Sequence, residues 1–446
     1  MSQSTPIVTR PDTDTIARVD GFDITVSDFV AHVLYLAERL PEAPFVVNLC
    51  ADRYKFLVSF CAAMVRGQCS LLPPTRQPAT VASIVDGHVG SYCLFDHPLG
   101  DVGGDHVQRY DWSEPLAQLE PKSTSDLPQI AGSQLCAMSF TSGSTGPSQA
   151  VSKRWRTFDV STEVNARYMV PESGPLAYMV ATVPAQHMWG LETSILLPLR
   201  ASVAITAGRP MFPADVAAAL ADVSAPRMLV TSPVHLRALT RSSLAFPEVE
   251  SVLCATAPLP QDVAVAAEKT FKGRVLEIYG CSEVGSMARR FPVAETSWEP
   301  FDALKFRSTG ERWIVDADHL TQSQRLADQL TFDPDGRFQL RGRVSDVVKI
   351  AGKRASMEAL NQTLLKCPKV KDGILFQPKS GDEGADRLAG LVVADPGDQL
   401  EVIAWLREQL DGAFVPRPLR FVESIPRAAS GKPSLQALMS ALAEHG

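Results

Sequence analysis

A succession of short apolar runs, each closed by turn formers and alternating with stretches of helical spacing, constrains this chain most. PFVVNLC (residues 44–50) reads as a buried strand, Arg53 to Met64 as the helix after it, and CSLLPP (residues 69–74) as a strand stopped by Pro73 and Pro74. QLCAMSF (residues 134–140) repeats the pattern. So do Leu176–Val183, Val203–Ile205, Met228–Val230, Ser251–Ala255 and Arg274–Tyr279, with helices between them. Strands apolar on both faces must be covered on both faces, as in parallel sheets wound with helices on each side. The expected fold is therefore α/β, with a large N-terminal domain of doubly wound parallel sheets.

Around this framework the signals are weaker. Ser27 is expected to cap a helix whose apolar face is Phe29, Val33, Leu36 and Leu40, and the residues before it to carry little structure. Asp96–Asp126 reads as loop, and Met287–Leu326 shows no readable period. After Ser345 a new unit begins, with helices at Met357–Leu365 and Glu401–Leu410 and strands at Gly373–Phe376 and Ala389–Val393. The expected domains are residues 1–344 and a small α+β domain, 345–446.

A chain of 446 residues is too long for one core. Its net charge of -7, without a basic run, gives nucleic-acid binding little electrostatic support. The polar start MSQSTPIVTRPDTDT lacks an apolar leader core, and no apolar stretch approaches the roughly 18 residues of a membrane span. The 8 cysteines form no CxxC pair and sit mostly among apolar neighbours, so they read as reduced core thiols of a cytoplasmic protein.

FTSGSTGPSQAVSKRW (Phe140–Trp155) follows directly on an apolar strand, and a helix is expected after its glycines. Glycines permit left-handed backbone angles, so successive amides can point into one concavity, and Ser and Thr hydroxyls add donors. A phosphate is the natural guest. A flexible Gly/Ser linker is the competing reading, but linkers seldom continue an apolar strand. The stretch is not a Walker A loop, because Ser148 occupies the second glycine position and Gln149 stands where the lysine should follow.

Three further motifs stand in order along the chain: EIYGCSEVG (Glu277–Gly285), LADQLTFDPDGRFQLRGRVSDVVKIAGKR (Leu326–Arg354) and PRAASGKPSLQAL (Pro426–Leu438). Together with the glycine-rich stretch they resemble the adenylate-forming superfamily of acyl-CoA synthetases, aryl-acid ligases, nonribosomal-peptide adenylation domains and luciferases. The resemblance covers most of the chain. It implies an enzyme that uses ATP and Mg²⁺ to turn a carboxylic acid into an acyl-adenylate and then passes the acyl group to a thiol.

By that resemblance Thr141, Ser142, Gly143, Ser144, Thr145 and Gly146 close over the β- and γ-phosphates. Tyr279 and Gly280 meet adenine, Ser282 the α-phosphate, and Glu283 the Mg²⁺. Thr256, Ala257 and Pro258 line the adenine and acid pocket, while Asp328 and Arg343 hold the ribose. Lys432 is the implied catalytic lysine, an ammonium between two anionic reactants. Ser345 or Asp346 is the implied hinge of a mobile C-terminal domain, and Lys349 and Gly352, with Arg354, form the face presented for thiol transfer. His187, in PAQHMWG, matches a motif that ends at Gly190; His187 and Trp189 are expected at the mouth of the acid pocket. His235, in TSPVHLRAL, is a further pocket candidate, with capping or surface roles as alternatives. No aspartate lies between Pro184 and Leu191 to meet a substrate ammonium, which points to a plain carboxylic acid.

The chain also departs from the family pattern. Ser148, Gln149 and Ala150 replace the usual Pro-Lys-Gly, so the loop lysine is missing. Lys153, about one helical turn further on, is either its substitute or a solvated surface residue. Only Gly285–Ala327 is available for a β-barrel subdomain, which must be reduced. This compact form resembles aryl-acid:acyl carrier protein ligases of aryl-polyene and xanthomonadin-type pigment pathways. The implied partners are a hydroxybenzoate-like acid and an acyl carrier protein, or CoA. A medium- or long-chain acyl-CoA synthetase is one alternative. A non-catalytic nucleotide-binding regulatory homologue, suggested by the missing lysine, is another.

Overall fold

The computed structural model describes residues 4–98, 107–120, 126–141, 149–170, 174–310, 312–343, 347–350, 353–378, 387–427 and 433–444, with backbone alone at Thr141, Gln149, Arg343, Val347, Lys349, Arg354 and Glu358. The chain forms two compact units. One comprises Met1–Lys305 and Asp316–Gln324, the other Phe306–Val315 and Arg325–Gly446. The expected hinge, Ser345 or Asp346, lies outside the described residues.

Two sheets build the larger unit. In the first, Gln149–Arg154, Leu135–Thr141, Cys69–Leu72, Phe45–Asn48, Ser91–Phe95 and Gln108–Asp111 lie side by side in that order. All but Gln149–Arg154 are parallel. The second sheet runs Glu299–Pro300, Gly285–Arg290, Arg274–Cys281, Ser251–Cys254, Arg227–Thr231, Ala177–Ala181, Val203–Thr206, Thr15–Val19, Phe22–Thr25. Its strands from Arg274–Cys281 to Thr15–Val19 are parallel. Helix Arg53–Val65 touches strands of both sheets and is buried almost all round, as a helix between two layers must be.

Strand order sets where a ligand can bind. From Ala177–Ala181 the chain moves to Val203–Thr206 on one side, then returns to Arg227–Thr231 on the other. Strand order reverses there, and the crossovers diverge to leave a crevice outside the carboxyl ends. The first sheet has the same reversal at Phe45–Asn48, flanked by Cys69–Leu72 and Ser91–Phe95.

Several local expectations change. The segment before Ser27 is structured: Thr15–Val19 extends the second sheet with Ala17 opposite Ile205, and Ile16 and Ala17 are fully buried. Polar neighbours and the shortness of the strand hid it. Helix Val26–Ala37 is capped by Thr25 rather than Ser27, because Thr25 and Asp28 form a reciprocal capping box. Within Asp96–Asp126, Gln108–Asp111 adds an edge strand. In the stretch without readable period, Gly285–Arg290 pairs antiparallel with Arg274–Cys281, its alternation masked by two arginines that bind carboxylates.

In place of a larger barrel subdomain there are short strands at Lys305–Ser308, Trp313–Asp316 and Gln324–Arg325, then a hairpin of Asp328–Phe332 and Phe338–Arg343. Phe306, Trp313, Phe332 and Phe338 pack their rings at centroid distances of 4.8 to 5.6 Å, which draws 306–315 into the smaller unit. That unit carries a sheet of Asp372–Phe376, Ala389–Val393 and Leu419–Phe421 with helices Met357–Leu365 and Gln399–Gln409, an α+β arrangement. The cysteines are all free, and all but Cys281 are buried. Among the described residues, no helix is long and apolar enough to cross a membrane.

Candidate active site

The strand before the glycine-rich stretch pairs antiparallel with a strand after it, so a returning strand stands where a helix was expected. Thr141 faces Gln149, Phe140 faces Ala150, and the helix starts only at Trp155. Ser142, Gly143, Ser144, Thr145 and Gly146 lie outside the described residues. Because the chain returns as a strand, Lys153 is carried inward. It is 3% exposed, and its Nζ donates to the main-chain carbonyl of Glu283 at 2.7 Å. This corrects the solvated-surface expectation: Lys153 is buried, and its ammonium is engaged by the 281–284 turn.

Glu192, which sequence reasoning missed, lies on the other side of that turn. It is also 3% exposed, and its carboxylate accepts from the Ser286 hydroxyl at 2.7 Å and the Ser286 amide at 3.2 Å. Burial holds the Lys153 ammonium below its ordinary pKa and the Glu192 carboxyl above it, each opposed by attraction between the two. Gly285 has φ +105°, and a Cβ there would sit 2.3 Å from Glu192 Oε1, so the motif must end in glycine. A glutamate inside the apolar run LETSILLPL was the available signal.

Tyr279, Gly280, Ser282 and Glu283 sit at the carboxyl end of Arg274–Cys281. The Tyr279 ring is largely buried, tilted against Trp298 at 5.8 Å; Ser282 is half-buried and Glu283 exposed. At the next strand end Thr256 has φ +90°, a conformation costly for a β-branched residue and therefore one that its surroundings enforce. Ala257 and Pro258 beside it are exposed. Glu277, also unread in the sequence, ties this loop to the tyrosine strand. Its carboxylate accepts from the Leu259 amide at 2.8 Å and from Arg290 Nε at 2.7 Å. Among the described residues, no group of three or more His, Cys, Asp or Glu could hold a metal. The lone exposed carboxylate of Glu283 instead suits a hard ion that arrives with phosphate oxygens.

Two acid-pocket candidates, Trp189 and His235, are tied to neighbouring strand ends at the switch point. His187 precedes the short helix Met188–Leu191 and is half-buried. Gly190 packs so tightly that a Cβ would lie 2.0 Å from the Pro184 carbonyl oxygen. Trp189 is not at a pocket mouth: its helical turn carries the indole inward, where Nε1 donates to the Thr231 carbonyl at 3.1 Å. His235, on helix Pro233–Arg241, has Nδ1 3.1 Å from the Thr182 hydroxyl, which lies 2.9 Å from the Thr231 hydroxyl. Burial, then the nearby Arg209 charge, keeps the His235 pKa below its ordinary value, so the imidazole is neutral at neutral pH.

In the smaller unit Asp328 and Arg343 are cross-strand partners, and Lys349 lies opposite Arg354. Gly352 and Lys432 fall outside the described residues.

The profile of the AMP-binding enzyme family matches residues 9–310, which include the glycine-rich stretch, the Thr256 loop and the Tyr279–Glu283 turn. The chain belongs to the AMP-binding enzyme family. As a member it is an enzyme, and the adenylate-forming reading of its motifs holds. A 4-coumarate–CoA ligase of Cereibacter sphaeroides is 24% identical over 301 residues, covering 66% of this chain and 68% of the relative. A 3-hydroxybenzoate–CoA/4-hydroxybenzoate–CoA ligase of Thauera aromatica is 25% identical over 350 residues, 68% of this chain and 66% of the relative. The chain thus spans about two thirds of the length of these curated relatives. Among solved structures, the O-succinylbenzoate coenzyme A synthetase of Bacillus subtilis with bound AMP superposes with a TM-score of 0.78 at 16% identity, covering 97% of this chain and 98% of that one. At that identity the likeness speaks for the fold.

Proposed function

We propose that this AMP-binding enzyme is an acid–thiol ligase that activates a hydroxybenzoate-like aryl acid as its adenylate. One observation carries the reading. Along the carboxyl ends of one parallel sheet, the Tyr279–Glu283 turn and the strained Thr256 loop are followed by the ends at Thr231 and Thr182, which hold the aromatic rings of Trp189 and His235. Aromatic walls of this kind favour flat substrates, and hydroxybenzoates and 4-coumarate are the acids named for the relatives.

In the proposed reaction a carboxylate oxygen attacks the α-phosphorus of ATP and pyrophosphate leaves. A thiol sulfur then attacks the acyl carbon, and AMP leaves with the former carboxylate oxygen. Thr141–Gly146 hold the outgoing phosphates. Tyr279, Gly280, Ala257 and Pro258 surround the base, while Asp328 and Arg343 bind the ribose. Lys432 neutralises charge between the two anions. Mg²⁺, held by Glu283 together with the nucleotide's own phosphates, supplies further charge neutralisation when bound. Rotation of 345–446 about Ser345 or Asp346 exchanges Lys432 for the Lys349–Gly352 face. The acceptor is the phosphopantetheine thiol of an acyl carrier protein or of CoA, and the reaction takes place in the cytoplasm.

Acid-dependent pyrophosphate release tests this across hydroxybenzoates, benzoate, cinnamates and fatty acids of rising length. The highest kcat/KM is expected for a hydroxybenzoate. A long fatty acid outperforming every aryl acid would replace the aryl reading with the fatty acyl one. No release with any of these acids would overturn the aryl-acid reading.

A further inference from the structure

The row of strand ends that holds the acid-site candidates leads to an arginine. Along the carboxyl edge of the second sheet, Thr256 follows one strand, Thr231 closes the next, Thr182 follows the third, and Arg209 lies just beyond the fourth, Val203–Thr206. At about 4.8 Å per strand, Arg209 lies some 14 Å from the Thr256 strand, on the side away from Tyr279. Its Nε donates to the Thr182 carbonyl at 3.3 Å, and the Thr182 hydroxyl is the group that meets His235. Arg209 is half-buried and makes no ion pair among the described residues.

Its charged neighbours increase the local positive field. Arg76 lies close enough to repel it and donates to the Cys50 carbonyl at 2.5 Å. Arg53, fully buried behind, is occupied by the carbonyls of Ala181 and Val183 at 2.9 and 2.8 Å and by Ser194. The carboxylates on this side have other partners. Asp96 faces Arg76, and its oxygens accept from the Ala51 and Asp52 amides, each at 2.8 Å, and contact His97. Asp52 caps its helix through the Lys55 amide. A half-buried guanidinium with no anionic partner, beside a neutral imidazole, is an electrostatic cost that an oxygen-bearing ligand would offset.

We propose that Arg209, with Arg76 behind it and His235 beside it, reads an oxygen substituent at the end of the acid remote from the reacting carboxylate. The shared chemistry is a distal oxygen, either a phenolic hydroxyl or a second carboxylate. Arg209 donates to it, and the His235 ring nitrogen not facing Thr182 accepts a phenolic proton. This inference rests on the proposed acid activation and adds to it the specificity-determining residue.

The test measures kcat/KM for acid-dependent pyrophosphate release by the wild type, Arg209→Met and Arg209→Lys. The acids are 3- and 4-hydroxybenzoate, isophthalate, terephthalate, and 4-methylbenzoate as the isostere without oxygen. The wild type should favour an oxygenated acid over the methyl isostere by about 10- to 100-fold, the worth of one hydrogen bond to a charged group. Arg209→Met should bring that ratio near unity through the KM for the acid, leaving the KM for ATP unmoved, and Arg209→Lys should recover part of it. A hydroxybenzoate preference identifies the phenol as the source of the oxygen; a phthalate preference identifies the carboxylate. Each ratio is internal to one variant, so loss of folded protein cancels. A ratio that survives Arg209→Met, or a wild type that ignores the oxygen, would overturn the subsite. If the wild type turns over none of these acids, the underlying reading fails and the subsite fails with it.

Discussion

Replacing Lys153 with methionine removes one hydrogen bond and one charge, and the two losses have different sizes. The bond from Nζ to the Glu283 carbonyl, a charged donor in a buried setting, is worth about 1.5–3 kcal/mol. Methionine fills nearly the same volume, so packing changes little. Glu192 is then left buried without the attraction of Lys153, held among the described residues by Ser286, which brings the total to about 3–5 kcal/mol. Against a typical stability of about 5–15 kcal/mol the fold survives, weakened. Lys153→Met combined with Glu192→Gln removes the orphaned charge and should lose about 1–3 kcal/mol less than the two single variants summed. The freed Glu283 turn should also reduce kcat/KM for ATP by about 100-fold, as expected for a misplacement near 1 Å. Denaturant unfolding of the four proteins of this cycle, with ATP kinetics on each, decides the matter. Additivity within about 0.5 kcal/mol together with an unchanged kcat/KM for ATP would refute the argument.

Two further outcomes are expected from the site. Lys432→Ala should slow adenylation about 10²–10³-fold while sparing thioester formation from supplied acyl-adenylate; equal loss of both half-reactions would contradict the two-face account. Asp52, pushed up to about 6 by burial, binds its proton more tightly folded than unfolded. Stability should therefore fall as pH rises from about 4 to 6, by at most about 3 kcal/mol. Asp52→Asn, which keeps a cap for the Lys55 amide, should flatten that slope, and an unchanged slope in thermal melts would show that Asp52 is not its source.

Much of the fold was legible because parallel strands buried on both faces leave unbroken apolar runs, as at Val46–Val47 and Leu229–Val230. Edge strands were not. Gln108–Asp111 is a short, polar edge strand beside Ser91–Phe95, and Thr15–Val19, next to the edge strand Phe22–Thr25, is short and finds its inner partner, Val203–Thr206, far away in sequence. The site divides in the same way. Motifs with fixed spacing identified the Tyr279–Glu283 turn, whereas Lys153, Glu192, Glu277 and Arg209 act through tertiary contacts across 18 to 130 residues, or through charge alone. The returning strand was misread as a helix because Gly and Ser mark a turn equally well before a helix and before a returning strand.

The central claim is that the acid's own oxygen attacks the α-phosphorus of ATP. The most direct test is to supply the best acid labelled with ¹⁸O in its carboxylate, together with ATP, Mg²⁺ and a thiol acceptor, and to weigh the products. The account predicts one ¹⁸O in AMP and none in pyrophosphate. Label in inorganic phosphate with ADP formed, or AMP carrying no label, would contradict it.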